Sequence, residues 1–432
     1  MYNVVDSYYA GQVSTTALAA LGLSFPVFLL IIAVGGGISR GASALIANAI
    51  GAKEYSKQQR YIAQTLSLGM VVSVALTLTG VLAAKPLFQL LGATGEYLTT
   101  ALAYMIPVFL GSVFFIVSNL SNAILIASGD SKTFSKVLVA GFFLNLILDP
   151  WFLYGGLGLP AMGVAGIAWA TVVIQIAGSS FMLATVLSRG LLNLKPWRCL
   201  LPDLSVYREI AQQALPASFN IMSVALGFFV ITYFLKFFGE ATVAAFGVTT
   251  RIEQIGLLPT FGLYAAIMAL VGQNNGAGNF ARIHETMKVC NRLGLALVLT
   301  TSLVIFLFSS QLMGLFTSDQ EVIDIGVGYI NIMMLIQWSY VMTSTHLAML
   351  QAVKRPMYGF FESVLRKVLI PLPLLWWFVY EQQSGVNSVW FSVAAANVLM
   401  TIITIIYGQT VLKTQLVPGT SEQETQTESV IP

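Results

Sequence analysis

The sequence predicts an all-α polytopic membrane protein: twelve transmembrane helices in two parallel six-helix lobes, with the first helix truncated at its N-terminus. Three observations carry this. Of 432 residues, 57% are hydrophobic and only 9% charged, with a mean hydropathy of +0.81, whereas a soluble domain carries about a quarter charged residues. The apolar runs are long enough for helices of roughly 20 residues and lack the alternation of an outer-membrane barrel. The chain also repeats itself at an offset of 225 residues.

Met1 to Gly11 is already apolar and has no basic segment before it, so it does not read as a signal peptide. Thr16 to Ile50 is longer than one bilayer crossing requires and is interrupted by Gly35-Gly36-Gly37 and Arg40, which predicts a helix broken at the glycines. Further spans follow at 60–84, 97–127, 133–154, 161–188, 208–235, 242–275, 287–309, 322–352, 357–379 and 387–411. The expected division is an N-lobe over 1–188, an interlobe linker over 189–207, a C-lobe over 208–412 and a disordered polar tail over 413–432.

Basic residues crowd alternate loops, among them Lys53, Lys57, Arg60, Arg282, Lys288, Lys354 and Arg355, against only Lys85 and Lys236 on the opposite side. By the positive-inside rule the crowded side and both termini are cytoplasmic, in a multi-pass protein of the inner membrane. Cys199 and Cys290 are too few for a disulfide framework and too isolated for a metal site.

The repeat fixes the architecture. Ala19-Ala20-Leu21-Gly22 meets Ala244-Ala245-Phe246-Gly247, Gly51-Ala52 meets Gly276-Ala277, Gly69 meets Gly294, and Tyr104 meets Tyr329, without a gap. An even number of spans per half makes the repeat parallel, about an axis along the membrane normal. The seventh span begins near Arg208, so the counterpart of its first part falls upstream of Met1, and the numbered chain is expected to start inside its first helix.

Asn145 and Asp149 interrupt an apolar run and, four positions apart, share a helix face. An ionisable group at membrane depth is costly and is by default a functional-site hypothesis. Asp6, Asn145, Asp149 and Thr171 supply hard oxygens suited to H⁺ or Na⁺ rather than to a soft metal, so any bound metal is expected to be Na⁺ at these four residues. Their repeat positions are Ile231, Ile370, Leu374 and Ala396, so only the first half carries this set. Structural pairing of Asp149 with a neighbouring helix is the alternative. Asn119, Asn122, Gln175, Tyr8 and Asn3 are candidates for lining a substrate cavity, with helix–helix hydrogen bonds and interfacial anchoring as the plainer roles. Arg251 with Glu253, and Glu362 with Arg366, are expected to neutralise each other, a second ion site at either glutamate being the alternative. His346 is expected to be a packed residue.

No Gly-x-x-x-x-Gly-Lys-[Ser/Thr], His-Glu-x-x-His or Gly-x-Ser-x-Gly is present. That argues against ATP hydrolysis by the P-loop route and against an intramembrane enzyme.

The paired segments Leu-Ile-Ala-Asn-Ala-Ile-Gly-Ala (45–52) and Leu-Val-Gly-Gln-Asn-Asn-Gly-Ala (270–277), Ala17-Leu-Ala-Ala-Leu-Gly22, and Asn145-x-x-x-Asp149-Pro150 resemble the multidrug and toxic compound extrusion (MATE) family over nearly the whole chain. The resemblance implies an N-lobe cation site at Asp6, Asn145, Asp149 and Thr171, and a substrate-cavity asparagine at Asn122. The absence of an acid between Pro216 and Leu235 favours the N-lobe-coupled, DinF-like branch. What it implies in function is a monomeric antiporter in the lipid bilayer that exports cationic or amphiphilic drugs against H⁺ or Na⁺ by alternating access. No cofactor and no nucleic-acid partner is expected. A lipid or polysaccharide flippase with a similar two-lobe fold is the rival; a basic cavity for a phosphate headgroup would mark it, and only Arg40 and Arg251 are candidates inside the spans.

Overall fold

The computed structural model describes residues 2–156, 158–193 and 197–414, with side chains from Val5 onward except that of Trp197. The tail expected from 413 lies outside the described residues from 415 on. Apolar runs fold as helices because hydrocarbon offers no partner for backbone N–H and C=O groups, which a helix satisfies internally. The helices are α1 (Tyr2–Val13), α2 (Thr15–Gly51), α3 (Tyr55–Leu90), α4 (Gly95–Leu110), α5 (Ser112–Ala127), α6 (Lys132–Tyr154), α7 (Val164–Ser188), α8 (Leu204–Leu235), α9 (Glu240–Gly276), α10 (Phe280–Leu307), α11 (Ser309–Gly314), α12 (Gln320–Ala352), α13 (Met357–Val364), α14 (Pro371–Trp376) and α15 (Asn387–Thr414). Among the described residues ten are long and apolar enough to cross a membrane, counting the segment Met357–Glu381 as one, and α4 with α5 make an eleventh. The first helix, α1, has 12 residues. Ser14 separates it from α2 and caps the latter, accepting from the Ala17 N–H at 3.0 Å.

Two expectations about helix continuity are corrected. The predicted break at Gly35-Gly36-Gly37 does not occur: α2 is continuous from Thr15 to Gly51. Its glycines serve close packing instead, since a Cβ on Gly41 would lie 2.8 Å from the Ala214 backbone N and one on Gly37 would overlap Ser218. The break falls in the span 97–127, which bends by 47° at Gly111 between α4 and α5. There Pro107 leaves the Ala103 carbonyl without its helical donor, and Val172 of α7 fills the space a Gly111 side chain would need. The penultimate span carries two π-helical turns, Leu365–Leu369 and Trp377–Glu381.

The chain divides into two compact units, Met1–Ile46 with Tyr55–Ser218 and Ala47–Glu54 with Phe219–Pro432. In the first, α7 is packed by α4, α5 and α6, and α1 lies on α6 and α7. In the second, α12 is packed by α9, α10 and α15 around an aromatic centre in which the Tyr329 ring stands edge-on to Trp390 at 4.9 Å.

The repeat is built into the core of the second unit. Gly51 and Gly276 are repeat partners, as are Asn48 and Gln273. A Cβ on Gly51 would lie 1.8 Å from the Gln273 carbonyl oxygen, and one on Gly276 1.9 Å from that of Asn48. Asn48 donates to the Ala352 carbonyl at 2.8 Å and accepts from Asn275 at 2.6 Å. Only glycine lets the two segments approach so closely.

In the first unit the segment before α8 is fastened to α3. The buried Gln64 amide donates to the carbonyls of Cys199 (2.7 Å) and Leu201 (2.8 Å) and accepts from the Asp203 N–H at 2.9 Å. Ser67 donates to Leu200 at 2.6 Å, and Arg60 is ion-paired with Asp203.

Candidate ion site in the first unit

A proline sets the geometry. Pro150 sits inside α6 and has no N–H, so the Leu146 carbonyl four residues earlier loses its helical partner. The Tyr9 hydroxyl of α1 donates to that carbonyl at 3.1 Å. This contact ties α1 to α6 beside Asp149. Asp6, one turn before Tyr9, therefore faces into the unit, fully buried.

At the other end of α6, Gly155 adopts φ +79 and packs its α-carbon against the backbone of Ala161, turning the chain back on itself. The Met162 and Gly163 N–H groups donate to Phe152 and Leu153 of α6 at 3.1 and 3.2 Å. Gly166 then lets α7 run against α6, since a Cβ there would meet the Phe152 carbonyl at 2.4 Å. Thr171 is thereby carried to the same place as Asp6.

The four residues singled out by the sequence meet. Asp6, Asn145 and Asp149 are 0% exposed and Thr171 is 3% exposed. Asn145 donates to Asp149 Oδ1 at 2.5 Å, and the Thr171 hydroxyl lies 3.4 and 3.5 Å from the two Asp6 oxygens. The Asp6 and Asp149 carboxyls lie close enough to repel each other electrostatically. No arginine, lysine or histidine is ion-paired with either among the described residues. Asp149 Oδ2 and Asn145 Oδ1 are buried without a donor.

That arrangement has a chemical consequence. Two unit negative charges about 4 Å apart at an effective dielectric of about 20 repel by about 4 kcal/mol. A proton or cation between two such carboxylates relieves that repulsion. The donor set is all oxygen: carboxylates, an amide and a hydroxyl, which suits H⁺ or Na⁺.

A fifth residue belongs here that the sequence reading did not assign. Tyr104 of α4 is buried and donates its hydroxyl to Asp6 Oδ2 at 2.8 Å. Its signal was the repeat: a tyrosine at matching depth in both halves, Tyr104 and Tyr329.

Of the proposed cavity residues, Tyr8 and Asn119 are engaged elsewhere. Tyr8 is two positions from Asp6, about 200° round the helix, and is 62% exposed; it stacks edge-on with Tyr9 instead. Asn119 donates to the Phe115 carbonyl of its own helix at 2.9 Å, while its backbone carbonyl accepts from Ser39 at 2.9 Å. Asn122 and Gln175 are half-buried. The side chain of Asn3 lies outside the described residues.

In the second unit, Glu362 and Arg366 form the expected i,i+4 ion pair at 2.5 Å. Arg251 and Glu253 do not pair among the described residues: Arg251 is exposed, while Glu253 is buried and accepts from the Tyr329 hydroxyl at 2.7 Å. Their spacing of two puts them on opposite sides of α9. His346 is buried, with Nδ1 2.7 Å from the Met342 carbonyl, as a packed histidine should be.

A family model described as MatE matches residues 1–151 and 216–377. The chain is 26% identical to a probable multidrug resistance protein NorM of Thermotoga maritima over 414 residues, 94% of this chain and 88% of that one. It is 27% identical to an FAD transporter of Shewanella oneidensis over 409 residues, 93% and 88% of the two chains. A solved structure described as the outward-facing conformation of a multidrug resistance MATE family transporter superposes with a TM-score of 0.88 at 26% identity, covering 96% of this chain and 92% of that one.

Proposed function

The chain belongs to the MatE family and is a multi-pass membrane transporter, not an enzyme; on that premise we propose that it is an antiporter that exports bulky amphiphilic, often cationic, compounds while H⁺ or Na⁺ moves inward at Asp6 and Asp149. The observation that supports this most is the buried pair of carboxylates without a basic partner among the described residues, beside two oxygens that lack a donor.

The coupling works through charge. With both acids ionised the buried site holds two negative charges; a proton or Na⁺ among Asp6, Asn145, Asp149 and Thr171 removes one of them. Ion and cationic drug then favour different conformations, so inward ion movement and outward drug movement become a single exchange. Alternating access supplies the path. Tyr104 and Thr171 hold the Asp6 carboxyl in place by neutral donors, which position it without cancelling its charge. Asn122 and Gln175 are the polar side chains of this unit that we assign to substrate contact, and coupling through this unit alone is the N-lobe-coupled form of the mechanism.

The test is drug resistance in a sensitive host. Asp6→Asn keeps the side chain's shape and abolishes resistance to cationic dyes at unchanged membrane expression; full resistance in that variant rejects the role of Asp6. The panel includes FAD, for which the Shewanella relative is named and whose pyrophosphate is anionic. Export of FAD but not of dyes would move the substrate class from cations to dinucleotides.

A further inference from the structure

At the end of α3 where basic residues gather, the first unit carries a cavity that the ion site does not use. Its volume is about 480 Å³, within the range of about 300–1,000 Å³ common for small-molecule sites. α3 forms one wall with Ser56, Gln59 and Arg60, and the segment before α8 forms the other with Arg198, Cys199 and Asp203. None of Asp6, Asn145, Asp149 and Thr171 lines it.

The two walls satisfy their neutral polar groups on each other. Gln59 donates to the Leu191 carbonyl at 2.8 Å and accepts from the Asn193 N–H at 2.9 Å, and Gln64 closes on backbone at Cys199, Leu201 and Asp203. What is left over is positive charge. The charged lining residues are Arg60, Arg198 and Asp203. Asp203 is taken by Arg60, through Nε and one terminal nitrogen. Arg198 is exposed and has no acid partner among the described residues. Glu209 accepts from the Tyr61 hydroxyl at 2.5 Å and does not line the cavity.

Two guanidiniums against one carboxylate attract an anion. The planar fork of arginine matches the oxygens of a phosphate group. Ser56 adds a hydroxyl donor, and the first turn of α3, which contains no acid, favours negative charge further. Among the described lining residues Leu201 is the one aliphatic side chain, so the cavity suits a polar group and not the body of an amphiphilic drug.

We propose that this cavity binds a phosphate group, of a phospholipid headgroup or of a free phosphate, through Arg198 and Arg60, and that the bound anion fastens the segment before α8 to α3. The inference does not rest on ion-coupled transport, and its test reads occupancy of the cavity alone.

The experiment uses the cavity's own cysteine. Cys199 lines it and is half-buried, while the buried Cys290 serves as the reference in the same molecule. The full chain in dodecyl maltoside is alkylated with N-ethylmaleimide, and each cysteine is followed by peptide mass spectrometry. Two probes are added separately: inorganic phosphate against chloride at equal ionic strength, and phosphatidylglycerol against an uncharged galactolipid. Only the empty cavity reacts, so Cys199 labelling slows about tenfold when a probe stands at about ten times its dissociation constant, with the Cys290 rate unchanged. Protection by inorganic phosphate identifies a free phosphate as sufficient; protection by phosphatidylglycerol alone identifies the lipid headgroup. Arg198→Gln, at an exposed side chain, abolishes either protection. Labelling that neither probe slows, protection equalled by chloride or the galactolipid, or protection undiminished in Arg198→Gln overturns the proposal.

Discussion

Tyr104 donates its hydroxyl to Asp6 at 2.8 Å across 98 positions of sequence. The hydroxyl orients the carboxyl, and leaves its charge for an ion to balance. Tyr104→Phe keeps the packing and deletes the donor, at a cost of about 1.5 kcal/mol, the low end of the range for a hydrogen bond to a charged group. Gradient-driven dye efflux in vesicles should slow about tenfold at unchanged expression. An unchanged rate would make Tyr104 a packing residue only.

The docking of α1 on α6 is a repair of Pro150. Tyr9→Phe removes the donor from the Leu146 carbonyl and should lower stability by about 1 kcal/mol. Pro150→Ala restores a backbone N–H four residues after Leu146, so the double variant should recover most of that loss. Thermal unfolding of the four proteins in one detergent gives the double-mutant cycle. Equal effects of Tyr9→Phe with and without Pro150 would dissolve the link.

Gly51 and Gly276 leave no room for a methyl group, with backbone oxygens at 1.8 and 1.9 Å from the positions of the added Cβ atoms. Gly51→Ala and Gly276→Ala should each destabilise by about 3 kcal/mol or more, because backbone must move rather than a side chain tip. Monodisperse protein recovered from membranes is the readout. As a control, Gly262→Ala, where nothing lies within 4 Å of the added methyl, should be recovered at the normal level.

The segment before α8 is held by Gln64 through three hydrogen bonds to backbone. Gln64→Ala should lose about 3 kcal/mol and raise trypsin cleavage at Arg198 about a hundredfold. The Arg60–Asp203 pair sets the pH dependence. The Arg60 guanidinium first, and the Ser205 hydroxyl next, lower the Asp203 carboxyl from 3.8 to about 2. A lowered carboxyl contributes its stabilisation in full above its ordinary value and loses it as pH falls from about 4 toward 2. Cleavage of the wild-type chain should therefore show no Asp203-dependent change between about pH 6 and 9. Asp203→Asn should be cut faster throughout that range, and equal rates would assign docking to Gln64 alone.

Helices were legible because hydrocarbon permits little else, and the apolar runs mark them to within a few residues. The four oxygens of the first unit were legible for a related reason: polar groups are rare at that depth, so Asn145 and Asp149 stand out. Contacts made by ordinary residues were not. Tyr9 acquires its role from a carbonyl freed by Pro150, and nothing at position 9 alone announces that. Gly35 to Gly37 looked like a break because glycine lowers helix propensity, but the missing side chain of Gly37 is used for close approach to Ser218, while the bend lies at Gly111, beyond Pro107. Arg251 and Glu253 were expected to pair on charge; a spacing of two on a helix sends them to opposite faces, and the tyrosine that replaces the arginine as partner comes from 76 positions away.

Dye export from proteoliposomes under an imposed pH gradient without Na⁺, and then under an imposed Na⁺ gradient without a pH difference, tests the ion-coupled site most directly. The account predicts that at least one gradient drives export by the wild-type chain and that neither does so for Asp149→Asn. Gradient-driven export that persists in Asp149→Asn, or wild-type export indifferent to both gradients, would contradict it.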